Sequence, residues 1–448
     1  MIFNLGDVLN KLQVSLEHDK LDEAIALIES LRSPDQADVF SELEEHEQKA
    51  LLPRLNPSNS ADILEELDEQ NAAKLVANMP TAAIARIVDE MEPDEAADLL
   101  GDMPPHRAQA VLEKLEEPEE VRPLLIHPDD SAGGLMTSEF LALRPSTTVR
   151  EALDALRRWK PDAESFYYLF VVDQSKKLCG VVGLRQLIIS PLDTAIRDLM
   201  DPHVISVKAG TDQEECARIL SHYDLLALPV VDDNNVLLGV ITIDDVVDVL
   251  EDEATEDIQR MGGAQPLDQP YLETGVFQIA KKRVGWLMLL FITEMLTGTV
   301  LRHFQDELQV VVALSFFVPL LIGTGGNAGS QTTSTIIRAL AVGDVTLKDA
   351  LHALWHELRT GLLLGLAMSV IAFIRALTWG SAMPLAETVS IAIFVIVIWA
   401  NVLGAVLPLL AARLGIDPPI VSGPVMSTLV DATGLFIYFT IARVLLGL

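Results

Sequence analysis

Near the end of the chain an apolar stretch, SGPVMSTLVDATGLFIYF (422–439), carries one carboxylate, Asp431, flanked by Thr428, Thr433 and Gly434. An ionised carboxylate in hydrocarbon costs several kcal/mol unless it is paired or hydrated, so Asp431 reads as a functional group. It is either a cation-binding group or half of a buried ion pair with Arg375, the basic residue set well inside another apolar run. A second unusual stretch, GTGGNAGSQTTS (323–334), follows the apolar run VVALSFFVPLLI. Pro319 and Gly323, Gly325, Gly326 and Gly329 are expected to bend that segment, and Thr324, Asn327, Ser330 and Gln331 offer uncharged oxygen and amide groups. Polar or non-helical backbone at membrane depth survives only when buried in protein or lining a watery cavity, so the alternatives are a small-residue helix contact and an aqueous pathway. A third set is acidic. Asp94 and Asp98 share a helix face at i and i+4, Asp245, Asp248, Glu253, Glu256 and Asp257 crowd one segment, and Asp212, Glu214 and Asp224 lie just upstream. Charges this dense repel unless water separates them or cations bridge them; a solvated acidic face is the alternative for each.

These residues need elements to hold them. Residues 56–115 divide into five aligned blocks of twelve, each closing on Leu or Met and carrying an aliphatic pair at its eighth and ninth positions. Short helices at a fixed period stack into a superhelix, because none alone buries its apolar face. From about 136 to 257 the pattern becomes β-α-β-β-α twice, with strands expected at YYLFVVD (167–173), CGVVGL (179–184), ALPVVDD (227–233) and LGVITI (238–243). This duplication resembles a pair of CBS domains, modules that bind nucleotides or other small ligands. Five spans follow, near 283–304, 309–332, 360–380, 386–412 and 420–447, each long enough to cross a bilayer. Glu294 lies midway along the first; it pairs with Arg375, takes part in conduction or faces a subunit contact, and the sequence does not choose.

Charge separates the two halves. Residues 281–448 hold 10 Lys+Arg and 9 Asp+Glu; the totals of 32 and 65 leave 22 basic and 56 acidic residues in 1–280. An excess so negative argues against nucleic acid and anionic lipid as partners and favours cations. Lys281, Lys282 and Arg283, then Arg338, Lys348 and Arg359, then Arg413 fall in alternate connections, which places the acidic part inside and the C-terminus outside. The N-terminus lacks a basic region followed by an apolar core, so no cleaved leader is expected. Cys179 and Cys216 give neither zinc spacing nor a disulfide framework, which suits a reducing compartment.

Taken together, SAGGLMT (131–137), the paired CBS units, ATEDI (254–258), the GTGGNAGSQ segment after Pro319, NVLGAVLP (401–408) and the Asp431 stretch resemble the bacterial MgtE family of magnesium channels over essentially the whole chain. The resemblance implies a multidomain membrane protein: an α-helical superhelical N-terminal domain (1–130), two α/β CBS domains (131–199 and 200–257), a plug helix (258–280, beginning near 245) and a five-helix transmembrane domain (281–448). It implies a homodimer in the inner membrane, not an enzyme, with a pore lined by the second and fifth spans. Thr324, Gly325, Gly326, Asn327 and Thr428 are then wall residues and Asp431 the Mg²⁺-selecting carboxylate. Magnesium dehydrates reluctantly and prefers oxygen ligands, and no His or Cys adjoins Asp431, which disfavours softer metals. Mg²⁺ bound by Asp94, Asp98, Asp212, Glu214, Asp224, Asp245, Asp248, Glu253, Glu256 and Asp257 is expected to close the pore. ATP at the CBS pair is the other ligand implied. Thr242 and Asp245 keep the pattern that grips a ribose, whereas the first unit reads Gly183-Leu184-Arg185-Gln186, leaving Arg185 to meet phosphate. Rival readings are a Na⁺- or H⁺-coupled divalent-cation transporter, also serving Mn²⁺ and Co²⁺, and a membrane-anchored nucleotide sensor.

Overall fold

Helix starts fall at Leu21, Ser33, Glu45, Pro57, Glu69, Thr81, Pro93 and Pro105, a twelve-residue step throughout. The repeat therefore begins three helices before the five sequence blocks. Its first two copies are masked because Lys20 and Arg32 replace the Asn, Asp, Pro and Glu of the later caps. From Ser33 onward the helices pack against the one two places along, so the short helices stack in alternating rows. The aliphatic pairs Ile63–Leu64, Ile87–Val88 and Leu99–Leu100 are at most 4% exposed and form the shared core.

The computed structural model describes residues 5–18, 20–159, 168–267, 271–272, 274–421 and 423–448, without the side chains of Glu69 and Gln70. Tyr167 and Ser422, which head two of the stretches quoted above, and residues 1–4 lie outside this set. The chain divides into two compact units, Met1–Glu251 and Asp252–Leu448, and the division falls inside the helix Ile243–Met261.

In the first unit the duplicated segment forms two sheets of the same design. Ala142–Leu143 runs parallel to Tyr168–Val172, which is antiparallel to Leu178–Gly183; Val207–Lys208, Ala227–Val231 and Leu237–Thr242 repeat that order. Tyr168 pairs with Gly183 and Ala227 with Thr242, so Gly183 and Thr242 are equivalent positions. The division at 199/200 is not respected by the ladders. Ala132 and Gly133 donate to Thr211 and Ala209, and Thr137 bridges Val240, so the head of the first unit is stitched onto the second sheet. Asp201 bridges Val181 in return.

The linking helix also differs from expectation. It starts at Ile243 and stops at Met261 instead of continuing to 280. Gly263 takes φ +74, and the Gly263 and Ala264 amides fold back onto the Arg260 and Gln259 carbonyls. A left-handed glycine closing the last turn is a common helix stop.

Among the described residues of the second unit, five helices are long and apolar enough to cross a membrane: Val276–His303, Val312–Ala341, Leu347–Thr378, Met383–Arg413 and Gly423–Leu446. The third begins thirteen residues before its apolar core, since a helix continues past the hydropathic limit when its polar face is solvated. The second carries the largest correction. Val318–Ala341 is one uninterrupted helix through GTGGNAGSQTTS. Pro319 stands in its first turn, where the missing N–H costs nothing, so it starts the helix without bending it.

Candidate ion pathway and cation-sensing sites

The glycines of the second span set how closely its neighbours approach. A Cβ on Gly325 would lie 2.7 Å from Ile396 Cγ2 and 2.8 Å from Val430 Cγ1, and one on Gly404 would lie 2.6 Å from the Gly329 carbonyl. Small residues at such crossings let helix backbones meet. Gly325, expected in the pore wall, is thus part of a helix contact because the fourth and fifth spans cover it. The hydroxyls are likewise used between helices. Thr332 donates to Asn401 Oδ1 at 2.8 Å, Thr333 to the Gly404 carbonyl at 3.3 Å and Ser330 to the Gly423 carbonyl at 3.2 Å.

One side of this helix faces a different surface. A Cβ on Gly326 would meet Ser427 Oγ at 3.2 Å and Asp431 Oδ1 at 3.7 Å. Gly326 therefore leaves room beside the carboxylate. Asp431 is half-buried, and its Oδ1 is covered yet has no hydrogen-bond partner among the described residues. Thr324 is half-buried and Asn327 exposed on the same helix. Thr428, also expected in the wall, is only 8% exposed, and its hydroxyl is spent on the Pro424 carbonyl at 2.9 Å. Arg375 does not serve as counter-ion to Asp431. It is exposed and lies 4.3 Å above the Trp379 ring, a cation–π contact that holds it at the far end of the third span.

The acidic residues fall into separate groups. Asp94, in the helix Pro93–Gly101, is 5% exposed with an unpartnered Oδ1. Burial, and next the Asp245 charge, hold its carboxyl well above the ordinary range. Asp245 is pushed up to about 6 by burial, although Thr242 Oγ1 donates to its Oδ2 at 2.5 Å and opposes the shift. Asp248 is exposed beside Glu66, whose carboxyl is raised by burial and then by Asp248. Asp98 is half-buried. Asp212 and Glu214 are adjacent and exposed, Asp212 capping the helix Gln213–His222 through the Glu214 amide at 3.0 Å. Asp224 does not join them. It lies beyond the opposite end of that ten-residue helix, exposed, at φ +51.

In the second unit, Asp257 is pushed up to about 6 by burial and then by Asp417 and Glu253. Arg260 bridges Glu256 and Asp417. Asp417 is the residue that sequence reasoning missed. Its signal is a lone carboxylate in the short connection GIDPPI before the fifth span. Glu307 and Arg443, which pair between the first connection and the fifth span, also went unnoticed. Among the described residues, no three carboxylate, imidazole or thiol groups converge tightly enough to ligate a metal directly. The unpartnered Asp94 oxygen beside Asp245, and the crowded Asp257, Asp417 and Glu253, instead suit a divalent ion that keeps part of its water shell.

At the ends of the matching strands the two repeats carry different residues, Gly183-Leu184-Arg185-Gln186 and Thr242-Ile243-Asp244-Asp245, yet keep one contact. Gln186 Oε1 accepts from the Gly183 amide at 3.3 Å, as Asp245 Oδ2 does from Thr242 at the same distance. Arg185 is exposed in the first turn of Leu184–Ile189, while Thr242 is 5% exposed.

Family models match along most of the chain: the intracellular MgtE N domain at 31–130, CBS domains at 132–192 and 196–252, and a divalent cation transporter model, MgtE, at 318–441. The magnesium transporter MgtE of Thermus thermophilus is 46% identical over 327 residues, covering 73% of this chain and 72% of the relative. That of Bacillus subtilis is 37% identical over 326 residues, with 73% and 72% covered. The crystal structure of the cytosolic domain of the Mg²⁺ channel MgtE in complex with ATP superposes with TM-score 0.51 at 35% identity, over 54% of this chain and 99% of that one. The soluble part of a magnesium transporter gives TM-score 0.51 at 34% identity, over 56% and 100%. This chain belongs to the MgtE family of divalent cation transporters.

Proposed function

We propose that this protein is a Mg²⁺-selective channel that admits magnesium across the cytoplasmic membrane and closes when cytoplasmic Mg²⁺ is high. The relatives named above are magnesium transporters, and the acidic domains of this chain are cytoplasmic regulatory domains. The observation that carries the reading is Asp431: a carboxylate inside a membrane span, without a hydrogen-bond partner on Oδ1, facing a glycine that leaves it room. An isolated charge there is expensive unless a cation and its water occupy the space. In a homodimer with the second and fifth spans against the axis, two such carboxylates face one hydrated ion, with Thr324, Gly326 and Asn327 beside the path. The charge bias of the connections places the C-terminus outside.

Asp94, Asp98, Asp245 and Asp248, then Asp212 and Glu214, then Glu253, Glu256, Asp257 and Asp417 are the sensing groups. Mg²⁺ neutralises their repulsion and holds the closed arrangement. Asp224 is placed apart from these groups and is left out. A nucleotide of the kind bound by the solved cytosolic domain meets Thr242 and Asp245, with Arg185 near its phosphates. The inside-negative potential drives entry, at about 4.6 kcal/mol for a divalent ion per 100 mV.

Flux into liposomes holding the purified protein, with Mg²⁺, Mn²⁺, Co²⁺ and Ca²⁺ in turn, tests the assignment. Mg²⁺ should enter without a Na⁺ or pH gradient. Entry that requires either gradient would make the protein a coupled exchanger.

A further inference from the structure

Three side chains of the second unit have a buried polar atom with no hydrogen-bond partner among the described residues: Trp286 Nε1, Thr297 Oγ1 and Asp431 Oδ1. All three lie on the first and fifth spans, which contact each other. Their register is fixed at both ends. A Cβ on Gly263 would touch Trp286 Nε1 at 2.5 Å and Pro424 Cγ at 3.3 Å, and Phe304 stacks on Phe439 with ring centres 5.1 Å apart. The two helices therefore run parallel. Glu294 is eight residues beyond Trp286 and Asp431 seven beyond Pro424. At a rise of about 1.5 Å per residue, both carboxylates reach the same depth to within about 3 Å from either end. Thr297 is 5% exposed and stands one turn from Glu294 on the same stripe, its hydroxyl unpartnered.

We propose that Glu294 is a second ion-selecting carboxylate of the Asp431 station, the two facing one hydrated divalent cation, with the Thr297 hydroxyl toward its water shell. The inference rests on the reading of Asp431 as the filter. Glu294 is exposed on the chain at mid-span, and a carboxylate there is costly against lipid, so its face belongs to a hydrated path or a protein contact. Arg375, the candidate counter-ion on sequence grounds, is engaged with Trp379. Two anions at one depth in a poorly screened region repel each other, and a divalent ion removes that repulsion where a monovalent one removes only half.

The test is Mg²⁺ influx into proteoliposomes as a function of Mg²⁺ concentration, with and without competing Na⁺, for wild type, Glu294→Gln, Glu294→Asp, Thr297→Val and Asp431→Asn. Glu294→Gln should raise the half-saturating Mg²⁺ concentration by about tenfold or more and let Na⁺ compete, the scale of one charge lost a few ångströms from the ion. Glu294→Asp should restore most of the wild-type discrimination, and Thr297→Val should shift half-saturation less, in the same direction. If Glu294→Gln keeps wild-type half-saturation and Na⁺ rejection while Asp431→Asn is inactive, the inference is overturned and the filter reading stands. Wild-type influx through Asp431→Asn overturns both. Should Glu294→Gln fail to assemble, Glu294→Ala decides: half-saturation and Na⁺ rejection at wild-type values overturn the inference, and a raised half-saturation with Na⁺ competing supports it.

Discussion

Gly325 and Gly326 are adjacent, and the structure assigns them opposite burdens. A side chain at Gly325 drives into Ile396 and Val430, so Gly325→Ala should cost about 1–3 kcal/mol through overpacking and lower the yield of folded protein. At Gly326 the nearest atoms are the Ser427 hydroxyl and the Asp431 carboxylate. Gly326→Ala should assemble normally yet pass Mg²⁺ more slowly, because its methyl enters the space beside Asp431. Comparing folded yield and flux for the two variants checks this; a Gly326→Ala protein with full flux would separate that glycine from the path. Asp431 itself was legible from sequence, since a charge in an apolar run is conspicuous. The split role of its neighbours was not, because a glycine that fits a helix crossing and one that clears a pathway are the same letter.

The helix Pro93–Gly101 and the head of the linking helix meet at Asp94 and Asp245, and their chemistry yields a pH dependence. Both carboxyls have folded-state pKa values raised above ordinary, Asp245 to about 6. A raised acid favours the folded form while protonated. For Asp245 that contribution is full below about pH 4 and is lost as pH rises through about 6, and the raised Asp94 carboxyl acts in the same direction. In Mg²⁺-free buffer, amide-exchange protection of residues 93–101 should therefore fall between pH 5 and 7, by about 1–3 kcal/mol. Millimolar Mg²⁺ should restore it at pH 7 and add little at pH 5; protection unchanged by pH would separate the pair. At the other end of the linking helix, Arg260 is the cation between Glu256 and Asp417. Arg260→Gln leaves those carboxylates and Asp257 uncompensated, so the Mg²⁺ concentration for half-closure should fall several-fold, as read from flux against cytoplasmic Mg²⁺. A rise would mean that Arg260 holds the closed form together. The twelve-residue repeat and the duplicated sheets were readable because each element repeats its own pattern. The end of the linking helix was harder to read. Acidic and apolar residues persist toward the first span, and the stop is carried by Gly262, the left-handed Gly263 and Pro266.

Across the whole chain, family membership and the order of the parts were legible, because hydropathy and charge divide it at one place. The polar stretch of the second span misled in one respect. Its hydroxyls and glycines suggested broken backbone, but neighbouring helices satisfy most of those groups, so the helix continues. Asp417 could be recognised only once the connection before the fifth span was seen beside the linking helix. These parts make one account: carboxylates that crowd at low Mg²⁺ are bridged at high Mg²⁺, and a separate carboxylate in the membrane passes the ion. The most direct test is Mg²⁺ current through excised patches while Mg²⁺ on the cytoplasmic face is stepped, for wild type, Asp431→Asn, and the joint variant Asp94→Asn, Asp245→Asn, Asp257→Asn. Wild type should conduct at low Mg²⁺ and close at about millimolar concentration, the range of weak carboxylate sites. Asp431→Asn should carry no Mg²⁺ current at any concentration, and the joint variant should conduct without closing. Wild-type Mg²⁺ current through Asp431→Asn, or closure of the joint variant at the wild-type concentration, would contradict the account.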